Sequence, residues 1–437
     1  MTASDKDFPT DRHGWAELLP PRQPRPPLQG DHRVPWAVIG AGLTGLACAR
    51  RLAALFPDSE ILLLDARQVG QGASGRNSGF AVAVSHFPGG FVMSERGNYA
   101  RVNRINQAGL DLLRGWVQEH DISCQWVEGG IHHGAADHWS LAECSHFRRY
   151  LDEMHIANTH LEADAMAGRL GTPHYNAGIH VHQGALLQPA ALVHGLADSL
   201  PANVRLCEQS AVLALETGTP VRLRLRQARV QADNVVLATN YEAGKLGFLR
   251  RRLAATTLSG SFTRQLSGDE RASLGTLEQW GLLSLHGGGA TVRLTLDERL
   301  CLRNTAEFHG SRLLSEGQLA QRQTQHRAAF EARFPGLAHV PFEFAWSGVE
   351  GISRNGTNFF GRQDDHVYFA GGYNGSGVSR GTAFGTALAE YAAGGQSSLI
   401  EDCLASAPGS WIPPRPFLDM AAALMVRARF KNVGRDR

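Results

Sequence analysis

Lysine is almost missing from this 437-residue chain: it stands only at positions 6, 245 and 431, against forty arginines. Genomic base composition produces the same bias, so the scarcity excludes little by itself beyond leaving few lysines for any chemistry that needs one. Long apolar runs are missing too. The longest, such as Ile61–Leu64 and Met420–Val426, fall far short of the roughly 20 residues of a membrane span, so a protein without a membrane span is expected. A net charge of only +2 removes the electrostatic case for a nucleic-acid or polyanion partner. The six cysteines, at 48, 124, 144, 207, 301 and 403, form no CxxC pair, which argues against a zinc ribbon or disulfide framework and points to reduced thiols in the cytoplasm. The segment 1–31 has no apolar stretch and carries acidic residues, unlike a secretory signal or transit peptide.

Glycine is what the chain has in quantity, 49 residues in a sequence that is 43% apolar. This suits an enzyme rich in close backbone contacts, with room for two domains or one large interwoven unit. Residues 1–33 hold PPRQPRPP and read as an extended arm packed on the surface, outside the core. Val34–Ile39 reads as a buried strand. Leu43–Phe56 has helical spacing (Leu46, Ala49, Leu52, Ala53, Phe56) and is stopped by Pro57, and Ile61–Leu64 is a second buried strand, which completes a βαβ unit. Helical periodicity recurs over 100–120 and from Gly317 to Arg333, while Cys124–His133 alternates like a strand. Strands of parallel character (34–39, 61–64, 234–239, 367–370) are separated by alternating ones, among them Val221–Arg226 and a hairpin of Thr291–Leu296 with Leu300–Arg303. One domain therefore recurs along the chain with another inserted into it.

Gly40-Ala41-Gly42-Leu43-Thr44-Gly45 sits at the strand–helix junction of the βαβ unit. Gly40 permits the tight turn, Gly42 lets the backbone approach a pyrophosphate, and Gly45 lets helix and strand pack closely; the helix N-terminus offers free N–H groups. Asp65 ends the second strand twenty residues later, where a carboxylate accepts from an adenosine ribose and disfavours a 2′-phosphate. A bound dinucleotide is expected. The loop Gly70-Gln-Gly-Ala-Ser-Gly-Arg-Asn-Ser-Gly-Phe80 follows almost at once, where an NAD-binding unit would continue with a helix and a third strand. It offers hydroxyl, guanidinium and backbone N–H groups instead.

The set VIGAGLTGL, LLLDARQVGQGASGRNSGF, VVLATN, WSGVEGISRNGTNFFGR and VYFAGGYNGSGV, in this order, resembles the glycine/D-amino-acid oxidase (DAO) family of FAD enzymes. The ASGRNSG loop, the proline-containing arm and the tail from Trp411 are most similar to its gamma-glutamylputrescine oxidase branch. The resemblance implies an α/β fold with a Rossmann-like FAD-binding domain (34–95 with 180–245 and 343–400) and an inserted antiparallel-sheet α+β substrate domain (96–179 with 246–342). The arm 1–33 and a C-terminal helical tail, 401–437, flank them. It carries Gly40, Gly42, Leu43, Thr44, Gly45, Asp65, Ala66 and Arg67 to the ADP half. Gly72, Ala73, Ser74, Arg76, Asn77, Ser78 and Gly79 fall beside the isoalloxazine. Val212 falls at the adenine through its backbone, and Ala238 and Thr239 near the dinucleotide.

A second glycine loop, at 371–377, has its glycines as GxxGxG and lacks the acidic strand end of a second nucleotide site. It reads as a helix N-terminus whose dipole faces charge on the flavin, and the resemblance gives Gly372, Tyr373, Asn374, Gly375, Ser376, Gly377 and Val378 that place. The following stripe Gly377, Gly381, Gly385, Ala389 permits close helix packing. Ser376 stands where the branch commonly has histidine, and His286-Gly-Gly-Gly-Ala290 and Arg303-Asn-Thr also depart from its pattern.

The chemistry the resemblance implies is hydride transfer from the C–H beside an amine nitrogen to flavin N5, leaving an imine that water hydrolyses. The expected partners are an amine or amino acid, in one form gamma-glutamylated, and oxygen or another electron acceptor; a homo-oligomer is allowed. Members of the wider family place a lysine near N5, and here only Lys245 falls in the right region. The FAD is expected to be non-covalent, because the 73–79 loop has no histidine and 348–361 no cysteine. Catalytic candidates are Ser376, Arg293 and Arg264, with Arg303 as a further carboxylate grip. A flavin-binding partner without turnover and an NAD(P)H-reduced flavin enzyme are the alternatives. The histidines at 132, 133, 180 and 182 lack a third ligand at metal-site spacing, and Phe417–Phe430 reads as a helix on the body, a subunit contact or a membrane-surface segment.

Overall fold

The computed structural model describes residues 12–87, 89–414 and 416–437; the first eleven residues of the arm, Lys6 among them, lie outside the described residues. Two eight-stranded sheets organise the chain. In the first, the strand order is Phe359–Asp364, Val367–Gly371, Ala228–Leu237, Gly30–Ile39, Ile61–Leu64, Val204–Cys207. The last five run parallel, and the four segments of parallel character are the middle of this sheet. Val221–Arg224 and Ala214–Glu216 extend it as an antiparallel ribbon. These strands read as near-continuous apolar runs because helices cover one face and a second core the other.

The second sheet runs Phe342–Ser353, Leu253–Thr263, Leu300–Glu307, Thr291–Leu294, Trp280–Ser284, Ile131–Ala135, Ala177–Val181, Asn158–Glu162. It is antiparallel except where Trp280–Ser284 meets Ile131–Ala135 in parallel. The expected hairpin is present, with Thr291 opposite Arg303. The segment 343–400, which the resemblance gives to the FAD-binding domain, opens on the strand Phe342–Ser353, which pairs along its whole length with Leu253–Thr263 as the edge of this second sheet. Of the stretch Cys124–His133, only the end joins a strand; Val127 makes an isolated bridge to Leu186.

From residue 12 onward the arm is not a surface strap. Trp15, on a single helical turn Gly14–Glu17, is fully buried edge-on to Phe262, 4.6 Å between ring centroids, and beside Trp346. Arg22 reaches the buried carboxylate of Glu208 at 2.7 Å, and Leu28 is buried in the core of the first sheet. A Pro/Arg-rich composition hid one aromatic anchor whose burial outweighs it.

The helices Leu43–Leu55 and Gly377–Ala392 cover the first sheet and, with Arg96–Glu119 outside them, pack against one another at backbone distance. A Cβ on Gly385 would lie 2.2 Å from the carbonyl oxygen of Thr44, and one on Gly109 would lie 1.8 Å from that of Ser379. The glycine stripe thus serves close helix packing. The tail helix Phe417–Arg429 lies on the second sheet's surface with no residue fully buried, and the chain end is fixed by Asp436, whose carboxylate accepts from Ser140 and Ser284. Among the described residues no helix is long and apolar enough to cross a membrane.

Candidate functional site

Between the two sheets lies a cavity of about 1120 Å³. Its first wall is the 40–45 loop. Gly40 has φ +103°, and a Cβ there would meet the carbonyl of Ala238 at 2.8 Å; a Cβ on Gly45 would fall 1.7 Å from the carbonyl oxygen of Gly40. The turn therefore requires glycine at both positions. Gly42 caps the Leu43–Leu55 helix without a side-chain acceptor, and the N–H of Leu43 donates to Ser74 Oγ at 3.0 Å. The rest of the first turn faces the cavity with its donors uncapped.

Asp65 closes this wall. Its carboxylate accepts from the N–H groups of Ala41 (2.9 Å) and Arg67 (2.8 Å). Burial pushes its pKa up, and the two donors pull against that. Thr239 also lines the cavity and has a buried hydroxyl with no hydrogen-bond partner among the described residues, an arrangement that costs free energy unless a ligand supplies the partner.

The 72–79 loop forms the second wall. Arg76 is buried and donates to the carbonyls of Gln71 and Ser347, both at 2.9 Å, while its own carbonyl accepts from Trp346. It ties the loop to the second sheet. Asn77 folds the loop back on itself, accepting from Gly79 N at 2.8 Å.

The second glycine loop forms the third wall. Gly372 donates to Asn240, Asn374 donates to Gly372 O and Thr357 O, and Gly375 turns at φ +92° into the Gly377–Ala392 helix. Ser376 is the N-cap, but its hydroxyl makes no cap bond, so the helix's first donors face the cavity. The two glycine loops touch: Thr44 Oγ1 and Tyr373 OH hydrogen-bond at 2.8 Å, both buried.

Of the residues expected at a cofactor, Gly40, Gly42, Leu43, Thr44, Asp65, Ala66, Arg67, Gly72, Ala73, Ser74, Arg76, Asn77, Ser78, Val212, Ala238, Thr239, Tyr373, Asn374, Gly375, Ser376, Gly377 and Val378 line this one cavity. Gly45, Gly79 and Gly372 lie behind its surface as packing and turn positions. Two expected catalytic arginines do not line it. Arg264 is tied by two 2.7 Å bonds to Glu270, which a capping box with Ser267 holds on the second sheet's rim. Arg293 is fully buried behind the 72–79 loop, with Nη1 on the carbonyls of Ser78, Gly79 and Leu187 and its guanidinium 5.1 Å from the Trp15 ring centroid. It braces the loop; both strands alternate, but the alternation does not say which face is the cavity. Lys245 lines the rim and pairs with Glu242 at 3.2 Å.

Other residues on the cavity escaped the sequence reading. Arg380 is buried one turn into its helix and bonds Asn106 and Ser85; burial lowers its pKa to about 10. A lone arginine in a helix start of small residues is the signal that could have found it. Glu350 and Arg429 also reach the cavity. Glu350 follows Trp346 and Gly348 at period two on one strand, and that alternation marks it.

Comparison with known proteins agrees with this geometry. Residues 35–391 match the DAO family model, described as FAD dependent oxidoreductase. The chain is 27% identical over 405 residues to gamma-glutamylputrescine oxidoreductase of Escherichia coli, covering 88% of this chain and 90% of that protein. It is likewise 27% identical over 409 residues to a probable oxidoreductase, OrdL, of Rhizobium meliloti, covering 89% and 90%. The glycine oxidase structure from Geobacillus kaustophilus superposes with a TM-score of 0.70 at 16% identity, covering 84% of this chain and 96% of that one. With both glycine loops on one cavity and the family model matched along most of the sequence, the chain belongs to the DAO family of FAD-dependent oxidoreductases.

Proposed function

We propose that the cavity holds one FAD non-covalently and that the protein oxidises an amine or amino acid beside it. The observation that carries this reading is the contact of the two glycine loops through Thr44 and Tyr373 on a single cavity: one ligand satisfies both. The residues fit it. Asp65 would take the ribose, the helix start at Gly42–Thr44 the phosphates, and the uncapped turn at Ser376–Val378 the flavin's polar edge. Thr239 has a buried hydroxyl waiting for a partner. When bound, FAD supplies the hydride acceptor for the C–H beside the substrate nitrogen, after which water hydrolyses the imine to a carbonyl and an amine or ammonia.

The chain's own share is positioning. The second sheet forms the floor under the substrate, Arg76 and Arg293 fix the loop between floor and flavin, and the buried walls exclude water around the reacting carbon. Obligatory proton abstraction by a side chain is not required, which fits the absence of a histidine at position 376. The six buried, unbridged cysteines support a cytoplasmic location, and the relatives' names make a gamma-glutamylated amine the first substrate to try.

The test is anaerobic addition of amines, amino acids, gamma-glutamyl amines and NADH to the yellow protein. Bleaching by an amine and not by NADH is expected; failure of every amine sinks the reading. Readmitted air that restores the colour marks an oxidase, and colour that stays lost marks a dehydrogenase. Acid precipitation should leave the flavin in the supernatant, and a yellow pellet would overturn the non-covalent assignment.

A further inference from the structure

Among the described residues lining the cavity, Glu350 is the one carboxylate carried by the second sheet, on the strand Phe342–Ser353, with Trp346 and Gly348 preceding it on the same face. Its Oε2 lies 3.8 Å from the place a Cβ would take on Gly375, so it stands beside the second glycine loop. Among the described residues its side chain has no hydrogen-bond partner and no ion pair within 4 Å. Burial raises its pKa, and the more distant charges of Arg429 and Arg303 oppose that. A carboxylate removed from bulk water and left with open acceptors is costly unless a ligand completes it.

Two arginines stand further along the same floor. Arg303 donates to Thr291 Oγ1 and has its other donors unpaired among the described residues; Arg429 reaches in from the tail helix, held by Gly287 O at 2.8 Å. Strand register sets the spacing. Glu350 is opposite Thr256, and Arg303 falls where Leu253–Thr263 passes Gly260, two strands across and four residues along. With ordinary strand spacing and rise, their Cα atoms are roughly 16 Å apart. No hydrogen bond or ion pair within 4 Å joins the carboxylate to either guanidinium among the described residues, so an anionic point and a cationic pair line separate places of one cavity, near enough to feel each other's charge.

We propose that Glu350 recognises a cationic nitrogen of the substrate while Arg303 and Arg429 take its carboxylate. The cavity is then built for an amine whose carboxylate lies several bonds from the nitrogen, and not for an α-amino acid with both on one carbon. Matched charge at both ends gives orientation and rejects ligands that carry one charge or place them together. The inference rests on the amine-oxidation reading for its chemistry but not for its binding test.

That test uses the flavin-loaded protein and calorimetric titration with four probes: 5-aminovalerate, norvaline, pentylamine and valerate. The wild type should bind 5-aminovalerate at least tenfold tighter than norvaline. Glu350→Gln should weaken 5-aminovalerate and pentylamine tenfold or more and leave valerate within twofold; Arg303→Gln should do the reverse, sparing pentylamine. Norvaline binding as tightly as 5-aminovalerate in the wild type overturns the proposal without any variant. So does a Glu350→Gln protein that loses all four probes equally, or none. Anaerobic flavin colour, read in the same samples, separates the two readings. Charge-selective binding without bleaching by any amine defeats amine oxidation alone, whereas bleaching that ignores Glu350→Gln defeats this assignment alone.

Discussion

The loops at 40–45 and 371–377 both leave a buried parallel strand and open a helix, yet their glycines do opposite work. In the first, the glycines are filled by protein: the hydrogens of Gly40 and Gly45 point at the backbone of the same junction, and no side chain fits. In the second, the glycines nearest the cavity face space. A Cβ on Gly375 or Gly377 would meet nothing closer than 3.8 Å and 3.6 Å, and the tight glycines of that segment lie behind the cavity surface: Gly371 and Gly372 against the rings of Phe369 and Phe359, Gly381 and Gly385 deeper in the helix where it crosses Thr44. One loop is tight so that strand and helix can meet; the other is open so that the helix end can face a ligand.

The largest expected effect breaks the first loop. Gly45→Ala places a methyl group against a carbonyl oxygen that cannot move without opening the turn, and should cost on the order of 4 kcal/mol or more. Urea melts should show it, and the purified protein should be colourless. Gly385→Ala attacks the neighbouring contact between the two helices, at 2.2 Å from Thr44 O, and should approach that cost. A yellow, stable Gly45→Ala protein would mean that the junction is not the tight element described.

A middle-sized effect tests the join between the loops. Thr44→Val removes the partner of the buried Tyr373 hydroxyl and should cost about 1–3 kcal/mol, because the phenol is left unsatisfied. Adding Tyr373→Phe should recover much of that loss, since an apolar pair of similar shape leaves nothing orphaned. A double mutant that is the sum of the two singles would show that the contact carries no coupling.

How much of this was legible in the sequence differs by region for a physical reason. In the 34–65 unit the helix and the second strand could be read to within a residue, because apolar runs, helix spacing and glycine placement all report on local geometry, while the first strand begins at Gly30, four residues before its apolar run. The parallel sheet followed, since buried central strands need no alternation. The second sheet's membership was harder. Phe342–Ser353 falls at the start of the 343–400 segment that the resemblance gives to the FAD-binding domain, and its glycines and polar residues reflect a cavity on one face without telling which sheet the strand edges. The same blindness misassigned the arginines. Arg264, Arg293 and Arg303 sit on similar alternating strands, and only the fold shows that Glu270 claims the first, the 72–79 loop claims the second and the cavity faces the third. Trp15 was hidden by its neighbours: an arm dense in proline and arginine looks solvated, and one indole ring anchors it.

The smallest expected effects sharpen the comparison at the open loop. Ser376 is the N-cap by position only; its hydroxyl accepts no N–H from the helix, so Ser376→Ala should forfeit little of the roughly 1 kcal/mol a working cap provides and change stability by no more than about 0.5 kcal/mol. Gly377→Ala should be equally mild, since the added methyl meets only the Tyr373 ring at ordinary contact distance and alanine loses less entropy than glycine on entering a helix. Both proteins should stay yellow through gel filtration, in contrast to Gly45→Ala. If Ser376→Ala instead sheds its flavin while its melting curve is unchanged, the hydroxyl is a ligand to the cofactor in its own right. Position 376 would then be a binding group that serine fills as well as histidine would, and the difference between the two loops would narrow to a difference in which atoms do the holding.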